Sequence, residues 1–154
     1  MPNNICIGVS IIREREIGFE VKTLSNLIKR KFLEGMEKDN ANDLTGVQRW
    51  TIRYIYLNRD KDIFQKDIEK EFKIRRSTAT GVLQLLEKNG YILREHVEQD
   101  ARLKKLVLTD KAITVQKKIE KRITEVEKIL VKGLTEEEIE NFYSIIEKIK
   151  KNAE

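Results

Sequence analysis

Six side chains in the stretch 75–84 are suited to reading a duplex: Arg75, Arg76, Ser77, Thr78, Thr80 and Gln84. An arginine fork matches the O6 and N7 acceptors of guanine in the major groove, and a glutamine amide matches adenine. Serine and threonine hydroxyls beside a positive helix N-terminus suit phosphate oxygens. These six interleave with Ala79, Val82, Leu83 and Leu86, which recur at the spacing of a buried helical stripe. An ordinary solvated helix face opened by a hydroxyl cap would read the same way, because helix-turn-helix signals are degenerate. A second cluster follows in REHVEQDARLKKLVLT, where Asp100 stands two residues before Arg102. An arginine at a hairpin tip can enter a narrow minor groove, where negative potential is enhanced. Asp100 can hold that arginine extended, and Lys104 and Lys105 can meet flanking phosphates. The alternative is a plain charged hairpin loop.

The elements that must position these residues are legible around them. A helix over 65–72 turns Ile68 and Phe72 inward, and a tight turn follows it. The second helix runs over about 76–89, with Gly90 placed at C′, where a left-handed conformation costs glycine little. Two short apolar strands, 91–95 and 105–108, flank a charged loop that begins at His96. Helix, turn, helix and hairpin in that order describe a winged helix-turn-helix, a shape that reads duplex DNA.

Outside this unit the pattern is helical. From about Arg13 the residues Ile17, Val21, Leu24, Ile28 and Phe32 form one apolar stripe. DNAND (39–43) reads as a loop. Thr45 and Gln48 make a capping box that starts a helix to about Leu57, with Trp50, Tyr54 and Leu57 on one side. NRDKD (58–62) breaks it, and Ile63 and Phe64 form a short pairing strand or anchor the next helix. Thr109 caps a long helix carrying Ala112, Val115, Ile119, Ile123, Val126 and Leu130, which Gly133 ends. Leu134, Thr135, Glu138 and Ile139 combine a capping box with a hydrophobic staple, and the last helix carries Ile139, Phe142, Ile146 and Ile149. Residues 5–11 alternate apolar and polar, as an extended arm or a frayed lead into the first helix.

Composition bounds the function classes. The 154 residues fit one domain-sized unit, 40% hydrophobic and 37% charged, with a net charge of +5. Eight Lys or Arg against four acids fall in 73–105, a local excess of four that is nearly the whole molecular excess. A concentrated basic patch attracts a phosphate backbone. No secretory signal and no run long enough to span a bilayer is visible, and the lone Cys6 forms no intramolecular disulfide, so the expectation is a cytoplasmic protein without membrane association. A zinc site built from His and Cys alone is excluded with one His and one Cys, and no cofactor or metal is expected. No Gly-rich phosphate loop, Cys/His pair or paired-carboxylate setting suggests an enzyme.

IRRSTATGVLQLLEKNGYILRE…DARLKKLVLTDKA resembles the multiple-antibiotic-resistance regulator (MarR) family, as does the closing GLTEEEIENFYSIIEKI helix. The resemblance runs from about Gly18 to the C-terminus and implies a homodimeric winged-helix regulator, more often a repressor than an activator. It places Ser77, Thr78 and Thr80 at recognition-helix contact positions and Asp100 and Arg102 at the wing-tip pair. It also implies an effector, a small phenolic or anionic ligand or an oxidant. Gly81 departs from the pattern, where a basic residue is common.

The expected fold is therefore α+β and mostly α: a winged helix-turn-helix over 45–108, with terminal helices (13–44 and 109–154) forming a dimerisation region. Apolar faces on the first and the last two helices imply a partner copy, and a two-fold dimer matches a palindromic operator. Trp50, Tyr54 and Tyr56 lie on the helix that would border a ligand cleft, with Trp50 and Tyr54 the candidate ligand contacts, although core packing is the commoner use of such residues. Cys6 as an oxidant sensor would require nearby donors that lower its pKa. A winged helix used only for protein–protein contact is the alternative function.

Overall fold

A computed structural model describes residues 16–36, 44–98 and 100–154. The alternating arm, Cys6, the lead into the first helix before residue 16 and the 39–43 loop lie outside the described residues. Six helices and one hairpin appear among those described: α1 (Ile17–Glu34), α2 (Gly46–Leu57), α3 (Gln65–Phe72), α4 (Arg76–Lys88), β1 (Ile92–Val97), β2 (Asp100–Leu108), α5 (Asp110–Leu130) and α6 (Glu136–Ala153). The fold is mostly α with one small antiparallel sheet, the winged-helix arrangement that the sequence implies.

Local chemistry sets most boundaries. Thr45 Oγ1 accepts from the Gln48 amide at 3.3 Å, and the Gln48 side chain accepts from the Thr45 amide at 2.8 Å. Thr135 and Glu138 repeat this reciprocal pair at the start of α6. Thr109 Oγ1 accepts from the Ala112 amide and donates to the Gly90 carbonyl at 2.7 Å, so one hydroxyl starts α5 and ties it to the end of α4. Gly90 has φ 73°, and the Tyr91 amide donates back to the Leu86 carbonyl at 2.8 Å. That bond and the one from the Gly90 amide to Glu87 make a Schellman ending.

One core joins the winged helix-turn-helix to the long helix α5. Ile52, Ile68, Leu83, Leu86, Ile92, Ala112 and Ile119 are essentially inaccessible to solvent. α2 packs on α5, α3 on α4, and α4 on β1. The Leu106 amide donates to the Ile63 carbonyl at 2.7 Å, and Phe64 bridges to Lys105, so the 63–64 segment pairs with the wing. α1 and α6 have no buried residue.

Two expectations are corrected. Trp50 is not core, the commoner use of such a residue: it is 47% exposed and Leu57 on the same side 54%, whereas Tyr54 packs partly buried against the core, and the helix buries Gln48, Arg49, Thr51, Ile52 and Ile55. Polar residues on that face obscured it, yet their needs are met locally. Gln48 closes the capping box, and Thr51 Oγ1 donates to the Val47 carbonyl at 2.8 Å. Burial of a hydrogen-bonded polar group costs little. The wing strands are also longer than expected. His96 is not in the loop but in β1, opposite Lys104, and the register shifts between His96 and Val97, which faces Asp100. Backbone pairing, which needs no apolar side chains, extends the hairpin through a charged stretch.

Candidate nucleic-acid interface

α3 ends on Lys73, a non-glycine residue in the left-handed region with φ 50°, and α4 begins three residues later. The Lys73 ammonium is held by the Glu154 carboxylate at 2.8 Å, which raises the lysine pKa and lowers the glutamate pKa. Arg75 is the N-cap of α4 and supplies no capping side chain, and the first turn contains no acid. The Arg75 side chain caps none of the amide groups at this end, and Arg75, Arg76, Ser77 and Thr78 are all exposed around it. Free donors, the positive end of the helix dipole and two guanidiniums together make an anion-attracting terminus.

Helical spacing sorts the face. Ala79, Leu83 and Leu86 are buried, and the opposite side presents Ser77, Gly81, Gln84 and Lys88. Gln84 is exposed. Thr80 lies at the edge, half-buried, and its hydroxyl is engaged. It donates to the Arg76 carbonyl at 2.8 Å and accepts from Gln65 Nε2 at 2.9 Å. Thr80 thereby joins α4 to α3.

On the wing, Asp100 accepts from the backbone amide of Arg102 at 2.9 Å, and both residues are exposed. The aspartate thus fixes the chain at Arg102. Lys104 is exposed. The ammonium of Lys105 is half-buried, 3.4 Å from Glu95 and 3.9 Å from Asp62. Arg76, Arg102 and Lys104 share one cleft of about 340 Å³ between α3, α4 and the wing. Two further cations line it that the motif reading passed over, Lys66 and Arg94. The period-two pattern of β1 carried the signal for Arg94, which lies on the same strand face as the buried Ile92. Lys66 sits in the first turn of α3.

The two aromatic candidates part company. Trp50 lines a cleft of about 210 Å³ between α1, α2 and α5, beside Phe32 and Arg49, and the Arg53 guanidinium lies 5.6 Å from its ring. Arg49 is 7% exposed, donates to the Leu44 carbonyl and stacks 4.9 Å over Phe32. Burial lowers its pKa, but a guanidinium remains charged in a protein. Tyr54 instead packs edge-on against Phe72 at 6.1 Å; burial, then Glu71 and Asp67, raise its phenol pKa. Among the described residues no group of three His, Cys, Asp or Glu could hold a metal, and no helix is long and apolar enough to cross a membrane.

A family model described as the MarR family matches residues 42–103, which span the capping box of α2 to the wing. An HTH-type transcriptional regulator of Bacillus subtilis (strain 168), YybA, is 29% identical over 143 residues, covering 91% of this chain and 87% of that protein. The crystal structure of the transcription regulator MarR from Oenococcus oeni PSU-1 is similar at 31% identity and a TM-score of 0.73, over 88% of this chain and 99% of that one. The S. aureus MepR–DNA complex gives a TM-score of 0.81 at 26% identity, over 92% of this chain and 99% of that one.

Proposed function

The chain belongs to the MarR family of DNA-binding transcription regulators, and we propose that it represses transcription in the cytoplasm as a homodimer seated on a palindromic operator. The family is one of regulators rather than enzymes. The observation that carries the reading is the alignment of two positive features on one side of the molecule. The uncapped start of α4 and the Arg102 wing border the same cationic cleft. That a structure similar to this chain is a complex with DNA supports DNA as the partner. In this reading residues 45–108 read DNA, and the helices over 13–44 and 109–154 form the dimer.

Roles follow from exposure and spacing. Arg75, Arg76, Ser77 and Thr78 hold the backbone at the helix entrance, and Gln84 reads a base deeper in the major groove. Thr80 offers its methyl to a thymine while its hydroxyl stays on Gln65 and Arg76. Arg102, held by Asp100, enters the minor groove, and Lys104 and Lys105 take adjacent phosphates, Lys105 exchanging its carboxylate partners for them. A small phenolic or anionic effector entering the Trp50 cleft would change how α1 and α5 carry the DNA-reading unit and so release the operator. Tyr54 stands behind that cleft as packing against Phe72.

Selection of bound sequences from random duplex DNA, followed by titration of selected and scrambled duplexes at several salt concentrations, tests the reading. Gln84→Ala should lose about 1–3 kcal/mol at one base position. Arg76→Ala should weaken every duplex alike and lower the salt slope by about one unit. If no sequence is enriched and both variants match the wild type throughout, α4 does not read DNA and the winged helix is a protein-contact module.

A further inference from the structure

We propose that the cleft between α3, α4 and the wing seats one phosphodiester of the bound duplex, with Arg94 as its central donor; this deepens the DNA-binding reading above and rests on it. Five cations line the cleft (Lys66, Arg76, Arg94, Arg102 and Lys104) against one acid, Glu69. That acid already accepts from the Gln65 amide at 2.9 Å. Among the described residues Arg94 alone of the five reaches a carboxylate, with Nε 3.1 Å from Glu87 Oε2. Its Nε and Nη2 are both closed to solvent and make no hydrogen bond, so a phosphate meets these donors when the side chain turns out into the cleft it lines. A buried donor without an acceptor is disfavoured, and a guanidinium fork fits two oxygens of one phosphate. Lys66 is steadied over the Phe64 ring at 5.6 Å, which leaves its ammonium beside the cleft.

Geometry selects a phosphodiester over a protein carboxylate. The major and minor grooves of a duplex are separated by a sugar–phosphate backbone. A protein that places a helix in one groove and a wing in the next must straddle that backbone. The cleft is the saddle between those two elements, with Arg76 of α4 on one side and Arg102 of the wing on the other. A strand crossing there brings an anion to the cleft that Arg94 lines with four other cations.

The test uses the full chain and operator duplexes in which single phosphates are replaced, one at a time, by neutral methylphosphonate. The wild type should lose about tenfold in affinity at one linkage, or an adjacent pair, between the two grooves. Arg94→Gln should bind the unmodified duplex about tenfold more weakly, with a salt slope lower by about one unit, and should lose nothing further at that linkage. Lys66→Gln, at an exposed position, should show the same coupling at the same linkage and keeps the test decisive if Arg94→Gln unfolds. Additive effects of variant and modification at every linkage would overturn the proposal. So would displacement of the duplex by millimolar inorganic phosphate beyond ionic-strength-matched chloride without linkage-specific coupling, which would assign the cleft to a free anion. A wild type that binds selected and scrambled duplexes equally defeats the sequence-reading function itself, an outcome separate from a discriminating wild type with an indifferent Arg94.

Discussion

Gly81 is a glycine that no contact among the described residues requires. It lies on the outward face of α4 between Ser77 and Gln84, and a Cβ there would meet nothing within 4 Å. Its helical backbone leaves no conformational reason for glycine, so the residue weakens α4 by about 1 kcal/mol relative to alanine. Gly81→Ala should raise the unfolding free energy by roughly 0.5–1 kcal/mol in urea melts. An unchanged or lower midpoint would mean that the neighbouring helix or the denatured chain offsets the gain. Arg102 is the complementary case, an exposed cation whose backbone is fixed by Asp100. Arg102→Ala should weaken binding most on duplexes with a narrow A·T-rich minor groove, and Asp100→Ala should do so more mildly, because shape readout depends on the inserted cation. Equal affinities of Arg102→Ala and wild type for the selected operator would remove the minor-groove role.

The joint between α4 and the wing is built from a few hydrogen bonds, backbone and side chain. Gly90 in the left-handed region lets the Tyr91 amide return to Leu86, and Thr109 then fastens the Gly90 carbonyl to the start of α5. α4, β1 and α5 meet at these few bonds, so the angle between helix and wing is set there. Gly90→Ala should destabilise the protein by about 1–2 kcal/mol, the cost of a Cβ in the left-handed region, and Gly90→Asn by less. Chemical denaturation that ranks alanine with glycine would show that the turn relaxes out of this conformation. At the other end of the fold, Arg122 donates to the Lys31 and Phe32 carbonyls at the C-terminus of α1. Gly35 gives it room, since a Cβ there would run into the Arg122 guanidinium. That cap joins α1 to α5, two helices assigned to the dimerisation region.

For the whole molecule the strongest requirement is a cover for α1 and α6. Neither helix buries a residue, and Phe19 (65% exposed), Leu27 (52%), Phe142 (49%) and Ile145 (54%) all face outward. Residues of both helices line an apolar groove of about 820 Å³. Contiguous apolar surface of this kind suits an interface, and under the proposed function a second copy of the chain would cover it. Sedimentation at micromolar concentration should give a dimer, with recognition helices about 34–36 Å apart on DNA. Leu24→Glu should shift it to monomer and weaken operator binding by far more than any single contact on α4. A single 18.2 kDa species for the wild type would remove the dimer from the model of action.

The reading unit was legible in the linear chain because its signals are local. The capping pair Thr45/Gln48, Gly90 at C′, and the α4 stripe of Ala79, Leu83 and Leu86 each depend on residues within a few positions of one another, as does the Thr135/Glu138 pair that starts α6 outside that unit. The basic excess over 73–105 likewise needed only counting. Tertiary structure decided what depends on neighbours distant in sequence. α2 has two competing stripes, and only packing against α5 and the core chose Ile52 and Ile55 over Trp50 and Leu57. β2 extended through a charged stretch because its partner strand supplied the hydrogen bonds. The cleft that joins Lys66, Arg76, Arg94, Arg102 and Lys104 draws on α3, α4 and both strands, so no local window contains it. Local rules fix caps, turns and stripes, whereas long-range packing decides which face is covered and which cations converge.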